Sequence, residues 1–401
     1  MKWETTTTRN VGLDFGFFKN RISGTVEMYS NTTSDVLLKL VIGGVGYTDE
    51  WKNIGQTSNK GVELNLNAIA VQTKDFTLGF GFNISANTNN VDNLGTLSTY
   101  TFNENWASSM GTASNSYIVT PGNPVGLIYG FVNDGLYPTS DFKWNGSNWV
   151  MNNAKYTNAV VIGYNGTTPI YKYTDANGVA FIDNTTIDGK NGFGPGSMKL
   201  KDTNGDGQIT DADRQVIGNT NPKHYGAFNI NATYKGFDAT VNFNWVYGNN
   251  IYNANKIELT SLYYKDRNEL ALTANSYSQI NWTTGKQITD PIALEAQNAN
   301  ATMWMSPTGQ YAVTSWAIED GSFLRLNNLA IGYTLPSSFT KKFYVQKLRI
   351  YATGYNLWIL TKYTGYDPEV DTRRATPATP GVDYSAYPKS RSYNVGVNIT
   401  F

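Results

Sequence analysis

Apolar residues fall at every second position in nine segments of this chain, a period that belongs to β-strands and not to helices. Val11, Leu13 and Phe15 alternate with Gly12, Asp14 and Gly16, and after Lys19, Asn20 and Arg21 the pattern resumes with Ile22, Gly24, Val26 and Met28. A second pair sets Val62, Leu64 and Leu66 beside Leu78, Phe80, Phe82 and Ile84, with a short turn near Lys74 and Asp75. A third sets Phe228, Ile230, Ala232 and Tyr234 beside Phe237, Ala239, Val241, Phe243 and Trp245, turning at Lys235 and Gly236. In the fourth, Leu324 and Leu326 give way to Leu329, Ile331, Tyr333 and Leu335, and the change of parity predicts a β-bulge near Asn327 and Asn328. Leu348, Ile350 and Ala352 form the return strand, and Tyr393, Val395, Val397 and Ile399 lead to the terminal Phe401.

The connections are sorted as strictly as the residues. Short turns alternate with long stretches, expected as loops at about 30–60, 88–223, 248–320 and 361–389, the third with a helix around 254–264. Connections of this length do not stay structureless in a compact protein. The intervening strand positions carry Asn, Thr, Ser, Gly and Glu, a poor core but a good wall for a wet lumen. A soluble sandwich has no reason to put its short and long connections at opposite ends, whereas a transmembrane barrel does. The expected fold is therefore all-β, an antiparallel transmembrane β-barrel with long extracellular loops. Phe80, Phe82, Phe243, Val395 and Phe401 should face lipid, and Asn83, Asn242, Asn244 and Asn398 should face inward. Single-chain bacterial barrels close with an even number of strands, so nine predict an open, curved sheet whose missing partners come from upstream sequence.

Composition narrows the function without naming it. The 31 basic and 31 acidic residues cancel, which speaks against a nucleic-acid binder or a polybasic membrane-surface protein. With no cysteine there is no disulfide framework, thiolate metal site or cysteine nucleophile. No run of about 18 apolar residues provides a membrane-spanning helix, and the first eight residues lack the apolar stretch of a secretory signal.

Several blocks then resemble one family. Gly122-Asn123-Pro124-Val125-Gly126-Leu127-Ile128-Tyr129-Gly130 with Asp134-Gly135-Leu136-Tyr137 is similar to the SusC/RagA family of TonB-dependent outer-membrane transporters. So are 202–218 with Asn219-Thr220-Asn221-Pro222-Lys223, and Phe323-Leu324-Arg325-Leu326-Asn327-Asn328 with Gly332-Tyr333-Thr334-Leu335-Pro336. Gly365-Tyr366-Asp367-Pro368-Glu369-Val370 and the closing Gly396-Val397-Asn398-Ile399-Thr400-Phe401, with its terminal aromatic, complete the series. The blocks keep the family's order but match only the C-terminal part of such a transporter; its signal peptide, TonB box and plug domain have no counterpart. The resemblance implies a cell outer-membrane importer of oligosaccharides or peptides with a 22-stranded barrel. It also implies a SusD-like surface lipoprotein as lid over 88–223 and 248–320, and energy from TonB through the N-terminal region. The alternative is a non-transporting surface glycan-binding or adhesive barrel.

The sharpest local motif is 202–213. Asp202, Asn204 and Asp206 stand at positions 1, 3 and 5, Gly207 at 6, the Gln208 carbonyl at 7 and Asp213 at 12. Ca²⁺ takes six to eight hard oxygens, and this spacing wraps them around one point. The expectation is a structural Ca²⁺ held by Asp202, Asn204, Asp206, Gln208 and Asp213, although Asp replaces the usual Glu at position 12 and shortens the closing arm. An Asx-rich turn without metal is the plainer reading. Trp106, Trp144, Trp149, Trp282, Trp304 and Trp316 lie outside the strands, where they pack the loops or stack on a ligand. His224 is the single histidine, which rules out a Ser-His-Asp triad or a His-rich zinc site and reads as a surface residue at a strand entrance. Asp183 with Asp188, or Glu319 with Asp320, form carboxylate pairs with nothing to place them around a substrate, and 192–196 lacks the Lys-Ser/Thr of a phosphate loop. The chain is not expected to be an enzyme.

Overall fold

The computed structural model describes residues 2–41, 46, 49–103, 115–188, 192–262, 266–306, 312–372 and 378–401. The alternating segments form one nine-stranded sheet in which each strand pairs with its sequence neighbours in the wall, always antiparallel. We number them β1 (Thr5–Phe17), β2 (Ile22–Val41), β3 (Asp49–Gln72), β4 (Phe76–Leu94), β5 (His224–Tyr234), β6 (Phe237–Tyr247), β7 (Phe323–Thr334), β8 (Lys347–Thr361) and β9 (Ser392–Thr400). Within this sheet β1 pairs only with β2 and β9 only with β8, so the two end strands are not joined.

Register explains why the parity of each strand mattered. Phe15, Gly24, Leu66, Phe82, Phe228, Phe243, Leu326 and Trp358 are successive partners across eight strands. One step along, Asn67, Gly81, Asn229, Asn242, Asn328 and Tyr355 form the next row on the opposite face. On the apolar face Phe228 stacks on Phe243 at 4.7 Å and Phe82 on Trp245 at 5.6 Å. On the polar face Asn242 Nδ2 donates to Asn328 Oδ1 at 2.8 Å and Asn231 Nδ2 to Asn229 Oδ1 at 2.7 Å. Phe80, Ile331, Val395 and Val397 remain exposed on the apolar face. That is the arrangement expected of a wall whose outer solvent is lipid.

Aromatics mark both rims. At the turn rim Phe76 meets Tyr234 and Phe237 meets Tyr333, while at the other rim His224 stacks on Tyr247 at 5.0 Å and accepts a hydrogen bond from Trp245 Nε1. His224 is thus half-buried in an aromatic girdle instead of free on the surface. The eleven residues of β6, tilted as barrel strands are, cover about 25 Å, the height of an apolar membrane band. The β5–β6 turn has φ +46° at Lys235 and +89° at Gly236. Two positive φ values define a type I′ turn, and a Cβ on Gly236 would approach the Thr334 carbonyl oxygen to 2.7 Å. The bulge also stands: partners on both sides of β7 pass from Leu326 to Asn328 and skip Asn327.

Three expectations need correction. The connection expected from 88 starts only after Leu94, because 88–94 continue β4 in its pairing with β3. Most of 30–60 is not a loop: β2 and β3 stay paired from Ser30 with Lys60 to Val41 with Asp49. Above the lipid both faces of that hairpin meet water, so Thr, Ser and Asn suit both and the alternation disappears while the ladder continues. The helix expected at 254–264 is only Ala254–Glu258, capped by the Asn253 side chain, with Leu259 as its C-cap. The tips of these connections at 42–45, 47–48 and 263–265 lie outside the described residues.

The core of the molecule lies above the sheet. Tyr117, Ile128, Tyr252, Ile257, Val313, Ala317 and Val382, drawn from all three remaining long connections, form one buried cluster. Tyr137, Phe142, Trp149, Tyr156 and Phe181 join Tyr277, Ile288 and Leu294 in a second. Short sheets tie the connections together, among them Asn250–Asn253 between Ile318–Asp320 and Val382–Asp383.

Candidate functional site: the loop assembly and its clasps

The 202–213 segment winds through a tight turn at its start and closes on Asp213 at its end. Asp202 accepts N–H bonds from Gly205 at 2.6 Å and Gly207 at 2.7 Å, and Asp206 accepts from Gln208 at 2.8 Å. Asn204 Nδ2 reaches Asp206 Oδ2 at 3.0 Å. Gly205 and Gly207 take φ of +78° and +84°, which lets the chain wind tightly around these side chains. Asp213, fully buried, accepts from Thr203 N and Thr210 N at 2.9 Å each, which draws the ends of the segment together. Ile209 is buried against Phe131 and Leu200, and its N–H donates to the Asp183 carbonyl at 2.8 Å. Among the described residues no three Asp, Glu or His side chains are grouped as a metal ion would require. A carboxylate has about four lone-pair sites, so Asp202 and Asp213 each retain acceptor capacity beyond the two N–H bonds they take.

The loop tryptophans divide. Trp149 and Trp304 are buried, Trp144 packs edge-on against Trp149 at 5.6 Å, and Trp316 against Trp304 at 4.7 Å. Trp316 also lies 4.4 Å beneath the Lys256 ammonium. Trp282 is exposed, and Trp106 lies outside the described residues. The carboxylate pairs serve the backbone: Asp183 accepts from Thr185 N, Asp320 from Ser322 N, and Glu319 from Thr364 N while pairing with Lys256 at 3.2 Å. The side chain of Asp188 is outside the described residues.

One constellation was not read from the sequence. Arg325, on the polar face of β7 beside Asn244, is nearly buried and holds Asp367 at 2.6 Å and Glu369 at 2.8 Å. Lys389 caps Glu369 at 2.7 Å. The last connection is thereby fastened to the wall. Within it Tyr363 Oη donates to Asp383 Oδ2 at 2.6 Å. Burial holds Asp383 above the usual carboxylate range, and burial beside that acid pushes the Tyr363 phenol up. The two sequence blocks containing Arg325 and Asp367 were each visible; their meeting, 42 residues apart, was not.

A cleft of about 960 Å³ opens in the same assembly. Its lining includes the Phe142–Trp144 and Trp149–Met151 hairpin on one side and Gln279 and Gln287 on the other, and none of the described lining residues belongs to the wall.

No protein-family model matches the chain. Over its whole length it is 29% identical to TonB-dependent receptor P3 of Formosa agariphila, covering 34% of that protein. It is 27% identical to TonB-dependent receptor SusC of Bacteroides thetaiotaomicron, covering 32% of it. The chain therefore spans about a third of the length of these curated relatives. The RagAB peptide transporter superimposes on the whole chain with a TM-score of 0.68 at 21% identity, using 36% of the solved chain. The RagAB importer in its closed-closed state gives 0.67 at 23%. The medium against the apolar face of the wall is that of the outer membrane.

Proposed function

We propose, for a chain that is the C-terminal part of a SusC-like TonB-dependent transporter barrel, that it forms wall and outer rim of a nutrient importer. The observation that carries this reading is the division between an apolar-out, polar-in wall and a separately packed loop assembly at one rim. The cargo is an oligosaccharide or a peptide; RagAB, which shares the fold, is a peptide transporter. A SusD-like lipoprotein lid docks on the extracellular connections expected at 88–223 and 248–320, the first of which begins beyond Leu94. TonB supplies energy through the N-terminal region, and the rest of the transporter contributes the plug domain and the strands that close a barrel of about 22 strands. Affinity capture of the tagged full-length protein from native membranes should recover a surface lipoprotein, and uptake of labelled oligosaccharide or peptide should need both TonB and the barrel. Recovery with no lipoprotein, and uptake unchanged in cells lacking the barrel, would favour the glycan-binding or adhesive alternative.

We also infer that 202–213 binds Ca²⁺ through Asp202, Asn204, Asp206, the Gln208 carbonyl and Asp213. The donor set is all oxygen, and the turn sets Asn204 against Asp206 while Asp202 accepts from the Gly207 N–H within it. The ion would screen acids that otherwise repel one another. Calorimetric titration should show Ca²⁺-dependent heat that Asp202→Ala with Asp206→Ala removes; no heat in the unsubstituted protein would sink the assignment.

A further inference from the structure

We propose that the loop cleft is a binding site for a neutral oligosaccharide, carried by this chain itself and independent of any lid. The inference rests on the loop assembly facing outward. The hairpin at the mouth is held rigidly: Asn145 Oδ1 accepts from Ser147 N at 3.0 Å and Asn148 N at 2.9 Å, and Asn145 N donates to the Asn148 carbonyl at 3.1 Å. This turn sets Trp144 directly across from Trp149 in register. Trp144 is half-buried, leaving part of its ring to line the cleft, while Trp149 beneath it is anchored in the loop core. A pyranose stacks its C–H face on such a ring without requiring charge.

The opposite side offers amides. Gln279 is fixed by its Nε2 bond to the Pro195 carbonyl at 2.9 Å, and Gln287 Nε2 spans Ile288 O at 3.2 Å and Gln279 Oε1 at 3.3 Å. Those last two bonds are long, so a ligand hydroxyl could replace them at small cost. The buried Nε1–H of Trp149 has no partner among the described residues, and a ligand oxygen reaching it would satisfy a donor whose isolation is costly. Among the described residues Asp183 is the single ionisable one in the lining. Aromatic rings, amides and hydroxyls with almost no charge match a neutral sugar chain better than a peptide with charged termini or an anionic glycan. The volume lies at the upper end for small-molecule clefts.

The test is calorimetric titration of the purified full-length protein in detergent with maltohexaose, cellohexaose, xylohexaose and mannohexaose, and with a tri- to octapeptide mixture. At least one hexaose should saturate. Trp144→Ala should weaken it at least tenfold, Trp144→Phe less, and Asn148→Ala, which truncates a residue of the cleft lining but leaves the backbone turn intact, several-fold. No saturation by any hexaose, saturation unaltered in both Trp144→Ala and Asn148→Ala, or Trp144-dependent binding by peptides alone would overturn the assignment. Uptake by the unsubstituted protein separates the two readings: TonB-dependent uptake with no saturable hexaose binding counts against the cleft alone, and Trp144-dependent hexaose binding without uptake counts against transport alone.

Discussion

Val241 and Tyr137 are both apolar residues of β-rich surroundings, yet the molecule treats them in opposite ways. Val241 sits mid-strand in the wall, in register with Ile230 and Leu329, on the face that points away from the asparagine rows. Tyr137 sits in the loop assembly with no exposure, ringed by Phe142, Phe181 and Phe193, its hydroxyl bonded to the Ile182 carbonyl. The wall turns its apolar side chains outward and the loops turn theirs inward, because lipid bounds one and water the other. Hydrophobicity alone therefore says nothing about inside or outside here; the neighbouring solvent decides.

The comparison breaks most visibly at Tyr137. Tyr137→Ala should cost the loop assembly about 3–5 kcal/mol by removing a fully buried ring. Limited proteolysis should then cut within 115–188 while the β-sheet signal of the wall in circular dichroism melts at an unchanged temperature; a parallel fall in that temperature would mean that wall and loops share one cooperative unit. Val241→Arg attacks the other half. A basic residue near the bilayer midplane costs about 2–4 kcal/mol, whereas Thr240→Arg on the wet face should cost far less. Unfolding in lipid vesicles would measure the pair, and equal penalties would show that the two faces do not differ in solvent.

The smallest expected effect sharpens the loop side. An acid whose folded pKa is raised contributes stability that is complete below its unfolded value near 4 and is lost as pH rises through the folded value. Asp383 is such an acid, so the last connection should loosen as pH rises from about 4 through the raised Asp383 value. The Tyr363 phenol, shifted the same way from a far higher starting point, keeps its contribution throughout that window. Asp383→Asn should flatten the pH dependence of the loop's thermal midpoint; an unchanged slope would assign it to another group.

Sequence reading recovered the wall nearly strand for strand because a two-faced strand writes its solvent into every second residue. Even the bulge at Asn327 was legible as a break in parity. The upper part of β2 and β3 was not, since a strand wet on both faces leaves no alternation. The loop core was illegible for a related reason: elements such as Tyr117–Val119 and Leu127–Gly130 are too short to show any period. Asp202 and its neighbours could be found because their spacing is local, whereas the Arg325 clasp joins residues that only the fold brings together.

The sorting of connections also sets an order of assembly. β5 and β6 are joined by two residues, whereas β4 and β5, equally well paired, are separated by about 130. Closing the longer connection costs on the order of 4 kcal/mol more chain entropy. Hairpins with short turns therefore form early and as units, and the seam between β4 and β5 waits. The loop cluster around Tyr117, Tyr252 and Val382 gathers three connections, and if it packs before the seam closes it should shorten that search. The part of the chain that looks like decoration on a finished wall would then serve as a tether while the wall is built.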